Sequence, residues 1–288
     1  MNASEHADGV PDVAAFTRLQ AAPAAGTIAA GSRPTPRLLR AWRYTRLALH
    51  LVQGLLTVAF VYPLCRRPAH QALRRRWSAG LLRVLGIELE TRGEAVAPGC
   101  MLVANHISWV DIFVINALAP AAFVSKAEVR NWPLIGWLAE RNDTIFLRRG
   151  SRGHARIINA EIAGLLDAGC NVAIFPEGTT TDGSHLLHFH AALLQPTIAC
   201  GHPLQPLALQ YRTADDRFSR APAYDGELSL GECVANIVAS RRTIARVTVA
   251  APIPTCDGVD RRTLAAHAHA QIAAVIAEPG AASPQPGT

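Results

Sequence analysis

The chain has 288 residues, 50% of them apolar and only 17% charged. Ordinary soluble domains carry roughly 25% charge, so this composition excludes a mostly disordered chain and leaves a globular enzyme or a membrane-associated protein. At roughly 150 residues per domain the length suits one or two domains. The formal charge is +6, and Lys126 is the only lysine, so the positive charge is carried almost entirely by arginine.

Residues 1–36 are rich in Ala, Gly, Pro and Thr and lack a strong period, which predicts a mobile tail. No apolar core of a signal peptide occurs there. Between Arg37 and Arg83 stand ten arginines and no acidic residue, which favours an anionic partner. Between the arginines, Leu47 to Cys65 is nineteen residues without charge, material that a nucleic-acid arm does not need. A phospholipid membrane is therefore the expected partner, and no nucleic acid. At ~1.5 Å per residue such a helix reaches about 28 Å, barely the hydrocarbon thickness. A second apolar stretch, Trp77 to Leu85, follows Arg74, Arg75 and Arg76. Residues 37–85 thus read as a membrane-associated helical segment: one short span, or two helices dipping into one leaflet, with a buried core helix as the plain alternative. The six cysteines show no C-x-x-C and no pairing with histidine, as expected of reduced thiols in a cytoplasmic protein.

Residues 86–278 have the size of a catalytic domain, and 279–288 repeat the tail composition. Strand-like runs occur at Met101–Ala104, Ala121–Val124, Thr144–Leu147, Val172–Phe175 and Leu204–Gln210. The clearest helix between them is Ala155–Asp167, with Ile158, Ile162 and Leu165 in period and Gly169 as a stop. Alternating strands and helices predict an α/β layered fold with a largely parallel mixed sheet, whose chemistry gathers beyond the carboxyl ends of the strands.

Three such ends carry reactive or charged side chains. After Ala104 comes Asn105-His106-Ile107-Ser108-Trp109-Val110-Asp111. Ser108 and Asp111 fit a helix start with serine as cap. If His106 precedes that helix, the Asp111 carboxylate can hold one ring nitrogen and raise the basicity of the other, as removal of a hydroxyl proton requires. After Phe175 comes Pro176-Glu177-Gly178-Thr179, a tight turn able to cradle an anion, or simply a polar turn. Strand Thr144–Leu147 ends in Arg148 and Arg149, whose forked geometry suits phosphate, or which form a solvated charged loop.

In order and all at strand ends, these segments resemble the lysophospholipid acyltransferase family, which includes the 1-acylglycerol-3-phosphate acyltransferases. The N-H-x-S-x-x-D signature is matched by Asn105, His106, Ser108 and Asp111, and I-F-x-x-R by Ile145, Phe146 and Arg149. F-P-E-G-T is matched by Phe175 to Thr179, the proline-containing strand by Leu204 to Leu207, and the K-x-E linker by Lys126, Glu128, Pro133 and Gly136. The resemblance covers about residues 85–215; Asp143 stands where a glycine is usual, and His190 and Ala191 where a basic residue and a glycine are. It implies the glycerolipid acyltransferase-like fold with an N-terminal membrane-associated helical segment on the cytoplasmic face of the inner membrane. It also implies acyl transfer from acyl-CoA or acyl carrier protein to a lysophospholipid hydroxyl, 1-acylglycerol-3-phosphate first and a lyso-ornithine lipid as the alternative acceptor. His106 and Asp111 would be catalytic, with Asn105, Ser108, Phe146, Arg149, Glu177, Gly178 and Thr179 binding substrate and neither cofactor nor metal required. The acceptor hydroxyl attacks directly, so no enzyme nucleophile is needed, and the chain has no G-x-S-x-G. Two rivals remain at this level: a metal-dependent hydrolase using Asp182, His185, His188 and His190, and an inactive membrane scaffold of the same fold.

Overall fold

The computed structural model describes residues 35–147, 152–255 and 258–277, without the side chains of 152–156. Both expected tails, Arg148, Arg149 and Cys256 lie wholly or almost wholly outside the described residues. The basic segment forms two helices, α1 (Arg37–Leu56) and α2 (Arg67–Leu85), joined by a π-helical and a 3-10 turn through Leu64. Then follow β1 (Ile87–Gly93), β2 (Met101–Ala104), α3 (Asp111–Leu118), β3 (Ala121–Lys126), α4 (Ile135–Arg141) and β4 (Ile145–Leu147). The chain continues through α5 (Arg152–Asp167), β5 (Asn171–Ile174), α6 (Gln195–Cys200), β6 (Leu204–Thr213), α7 (Leu230–Ala239), β7 (Thr243–Val249) and α8 (Arg261–Ala277).

The strands make one seven-stranded sheet in the order β1-β7-β6-β2-β5-β3-β4. Every pairing is parallel except β6 with β7. β2 sits at the centre with all four residues buried, as expected of a parallel strand covered on both faces. Its alternation divides the core: Leu102 and Ala104 face α2, α3 and α7, while Met101 and Val103 face α5 and α8. The fold is thus a three-layer α/β/α arrangement, the expected class, and the five expected strands are present, Met101–Ala104 with its expected bounds and the other four with ends displaced by one to three residues.

Helix α2 belongs to this body. Leu81, Leu82, Val84 and Leu85 lie in the same apolar cluster as Ile87, Leu102 and Val114, so the core runs without a break across residue 85. Helix α1 lies against α2 and is held near both ends. Arg43 donates to the carbonyls of Val238, Ser240 and Arg241, and the Tyr62 hydroxyl donates to Asn142 Oδ1 at 3.2 Å. The guanidinium fits because residue 86 is glycine: a Cβ there would lie 2.6 Å from Arg43 Nη2, on a backbone with φ of 77°. The helical stretch Arg37–Leu64 is long and apolar enough to cross a membrane, and Leu38, Trp42, Leu49, Val52, Leu56 and Phe60 on it are exposed.

Candidate active site

Parallel neighbours β2 and β5 bring the segments after Ala104 and Phe175 side by side at their carboxyl ends. His106 leaves β2 before α3 begins, and its Nδ1 lies 2.9 Å from Asp111 Oδ2. Since a carboxylate only accepts, Nδ1 carries the proton and Nε2 keeps the lone pair for a substrate. The ring stacks on Phe175 at 3.9 Å between centroids and stays one-fifth exposed (20%), so it is held flat yet reachable.

Asp111 is fully buried, a cost that needs full hydrogen-bond compensation. Oδ2 accepts the backbone N–H groups of Ile107 at 2.7 Å and Ser108 at 2.8 Å besides the imidazole. Oδ1 accepts the Tyr211 hydroxyl at 2.7 Å. Asp111 is also the first residue of α3, where the helix dipole favours negative charge. Burial and the adjacent Asp111 charge push the Tyr211 phenol well above its ordinary range, so it remains a proton donor.

The expected serine cap is a correction. The residue preceding α3 is Val110, and no side chain caps the helix. Ser108 Oγ accepts only the Val110 N–H, at 3.3 Å, while Asp111 reaches backwards to the loop amides. The loop is closed by the acidic residue, because its carboxylate can gather several donors and a hydroxyl cannot.

Glu177 is buried, and both its oxygens are occupied. One accepts the His106 N–H at 2.8 Å and the other the Leu187 N–H at 2.9 Å. Burial pushes its carboxyl pKa up, and the two amide bonds pull against that shift. Glu177 therefore ties the histidine loop to the chain after β5. Gly178 closes the turn, donating to the Phe175 carbonyl at 3.1 Å with Pro176 second in the turn and φ of 72° at the glycine. Thr179 is exposed beside it. Asn105 is buried and exchanges both amide groups with Leu209 of β6, at 3.0 and 2.7 Å, continuing the sheet pairing beyond the strand. Phe146 lies on the edge strand β4, with the Arg130 guanidinium 5.7 Å from its ring. Arg149 follows β4 in the sequence and lies outside the described residues.

Tyr211 and the Thr181 N–H, which bonds the His106 carbonyl at 2.9 Å, complete the setting and escape the motif reading, as does the stacking role of Phe175, a residue the motif does include. Tyr211 has a usable signal: counting in twos from Leu207 along β6 puts it on a buried face, where its hydroxyl needs a partner. The rival metal set does not assemble. His185 sits 3.5 Å from Asp182, while His188 and His190 meet edge-to-face at 6.0 Å. Among the described residues, no three His, Cys, Asp or Glu side chains converge as ligands.

A lyso-ornithine lipid O-acyltransferase of Pseudomonas aeruginosa is 42% identical over 217 residues, 75% of this chain and 82% of that protein. The chain belongs to the lysophospholipid acyltransferase family. The family model described as Acyltransferase matches residues 87–210 of this acyltransferase. A 1-acyl-sn-glycerol-3-phosphate acyltransferase of Neisseria meningitidis is 33% identical over 201 residues, 69% of this chain and 78% of the other. In fold, the acyltransferase matches the crystal structure of the 1-acyl-sn-glycerophosphate acyltransferase PlsC from Thermotoga maritima. The TM-score is 0.63 at 19% identity, over 83% of this chain and 93% of that one.

Proposed function

We propose that this acyltransferase moves an acyl group from a thioester, acyl-CoA or acyl carrier protein, to the free hydroxyl of a lysolipid at a membrane surface. The observation that carries the proposal is His106 with Nδ1 tied to a buried, four-donor carboxylate and Nε2 left open. Nε2 takes the proton from the acceptor hydroxyl as its oxygen attacks the thioester carbonyl carbon. Collapse of the tetrahedral adduct breaks the C–S bond, and the departing thiolate receives that proton back. General-base help of this kind contributes roughly 10²- to 10⁴-fold; positioning of the two substrates supplies much of the rest. Gly178, Thr179, Arg149 and Phe146 belong to the acceptor side in this reading. Glu177, Asn105 and Ser108 act by holding the loops, since their polar atoms are already engaged by the protein.

The acceptor we favour is a lyso-ornithine lipid, because the Pseudomonas relative is more similar than the Neisseria one, at 42% against 33%. The second reading, 1-acylglycerol-3-phosphate, rests on that Neisseria similarity and on the arginine that follows β4. In this reading the α1–α2 hairpin, basic and with exposed apolar side chains, sits on the cytoplasmic face of the membrane beside the site. Because Arg43 and Tyr62 hold α1 along the domain near both its ends, the hairpin lies in one leaflet in this reading and does not cross. A panel of lysolipids with acyl-CoA and acyl carrier protein donors, read by product mass, tests the assignment. Turnover of lyso-ornithine lipid at least tenfold above 1-acylglycerol-3-phosphate is expected. The reverse ratio selects the second reading, and no product from any lysolipid overturns both.

A further inference from the structure

The hairpin carries a second feature that acyl transfer does not use. Between α1 and α2 lies a cleft of about 450 Å³, lined among others by Arg46, His50, Gln53, Arg76, Trp77 and Arg83. Its floor is built by close approach. Trp77 stacks on His50 at 4.8 Å, and Trp77 Nε1 donates to the His50 carbonyl at 3.1 Å. Glycines make room for both rings: a Cβ at Gly54 would lie 2.4 Å from Trp77, and one at Gly80 would lie 2.6 Å from His50. Three guanidinium groups share this cleft, and neither helix has an acidic residue. Among the described residues Arg46, Arg76 and Arg83 make no ion pair, although Arg67 and Arg74 on the same hairpin both pair with Asp143; Arg83 Nε donates only to the Ala79 carbonyl of its own helix, at 3.2 Å. Like charges gathered in one concavity without a counter-charge repel one another and attract an anion.

The neighbourhood identifies the anion. On α1, Arg46, His50 and Gln53 form one stripe, and the exposed Leu38, Trp42, Leu49, Val52 and Leu56 form another roughly 90° around the helix. A phosphate seated in the cleft would have apolar side chains directly beside it for acyl chains. We propose that the cleft is a discrete binding site for the phosphate of an anionic phospholipid headgroup, separate from the acceptor site at His106. The site rests on the hairpin lying in a membrane interface, and the experiment separates the two ideas.

The full chain in detergent is mixed with phosphatidylglycerol or phosphatidylcholine and examined by native mass spectrometry. Its partition onto vesicles of phosphatidylcholine, with and without phosphatidylglycerol, is measured in parallel. One retained phosphatidylglycerol per chain is expected, lost at least tenfold in Arg46→Gln/Arg76→Gln. The control Arg37→Gln/Arg66→Gln removes the same charge outside the cleft and should retain the lipid. Both doubles should keep turnover on detergent-dispersed acceptor and partition onto neutral vesicles as the parent does. Equal losses in the two doubles, or equal retention of phosphatidylcholine, overturn the site in favour of diffuse charge. Displacement by millimolar inorganic phosphate overturns the lipid as ligand, leaving a site for soluble phosphate. Failure of the parent to bind neutral vesicles counts against the membrane reading of the hairpin, leaving the lipid-retention result to decide the cleft.

Discussion

After β2, the Asp111 carboxylate has four donors from its own protein, whereas on the α1–α2 hairpin Arg46 and Arg76 have no acceptor among the described residues. The first arrangement is complete before substrate arrives, and the second leaves its charge to be met from outside. Chemistry needs preorganised groups whose position costs nothing at the moment of reaction. A surface that meets a fluid, variable partner works with groups left open. The difference separates substitutions that should cost turnover from those that should change only where the enzyme sits.

Largest should be the effect of His106→Ala. The ring stacks on Phe175 and remains one-fifth exposed (20%), so its loss should spare the fold while turnover falls roughly 10²- to 10⁴-fold. A purified variant with native circular dichroism and more than a tenth of parental turnover would remove the base from the mechanism. Asp111→Asn comes next, because it damages both chemistry and structure. An amide places an NH₂ among four donors and cannot stabilise the imidazolium, so activity should fall at least tenfold and unfolding free energy by about 1–3 kcal/mol. Chemical denaturation beside initial rates measures both.

Tyr211→Phe sharpens the comparison by removing only one of those donors. Asp111 Oδ1 then loses its partner in a dry site, and a loss of about 1–3 kcal/mol in stability with less than tenfold loss in turnover is expected. An unchanged melting temperature would show that the phenol is spectator packing. Smallest, for turnover, is Arg43→Gln. None of its three carbonyl partners bonds His106 or Asp111, so rates on dispersed acceptor should be unaltered. Amide exchange in α1 should instead accelerate, which hydrogen-exchange mass spectrometry would register.

Much of this architecture is legible in the sequence, and the parts that are not have identifiable causes. The strands between Met101 and Thr213 announce themselves because parallel, doubly covered strands are continuous apolar runs. β1 does not, since Glu88 and Glu90 break its pattern. Glu88 is answered by Arg242, and Glu90 by Arg246 as well as its neighbour Arg92; Arg242 and Arg246 are more than 150 residues away, where no local window reaches. His106 and Asp111 are legible as a pair because their spacing allows the contact only when the histidine precedes the helix. The burial of Glu177 is not legible: a carboxylate beside a glycine turn looks like a ligand until the Leu187 amide is seen behind it. Asp143, standing where the family has glycine, adopts φ of 58° as that glycine would, and it uses its carboxylate to bind Arg74 at 2.9 Å.

The grip of Arg43 on carbonyls near residue 240 also sets an order of events during synthesis. Arg43 and Val238 are 195 residues apart. At about 5–20 residues per second, the hairpin waits on the order of 10 to 40 seconds outside the ribosome before its landing site exists. Through that interval Leu47, the leucine of α1 that the finished core buries, lacks the surface that will cover it. Emergence of the hairpin and completion of its docking site are thus separate events in synthesis.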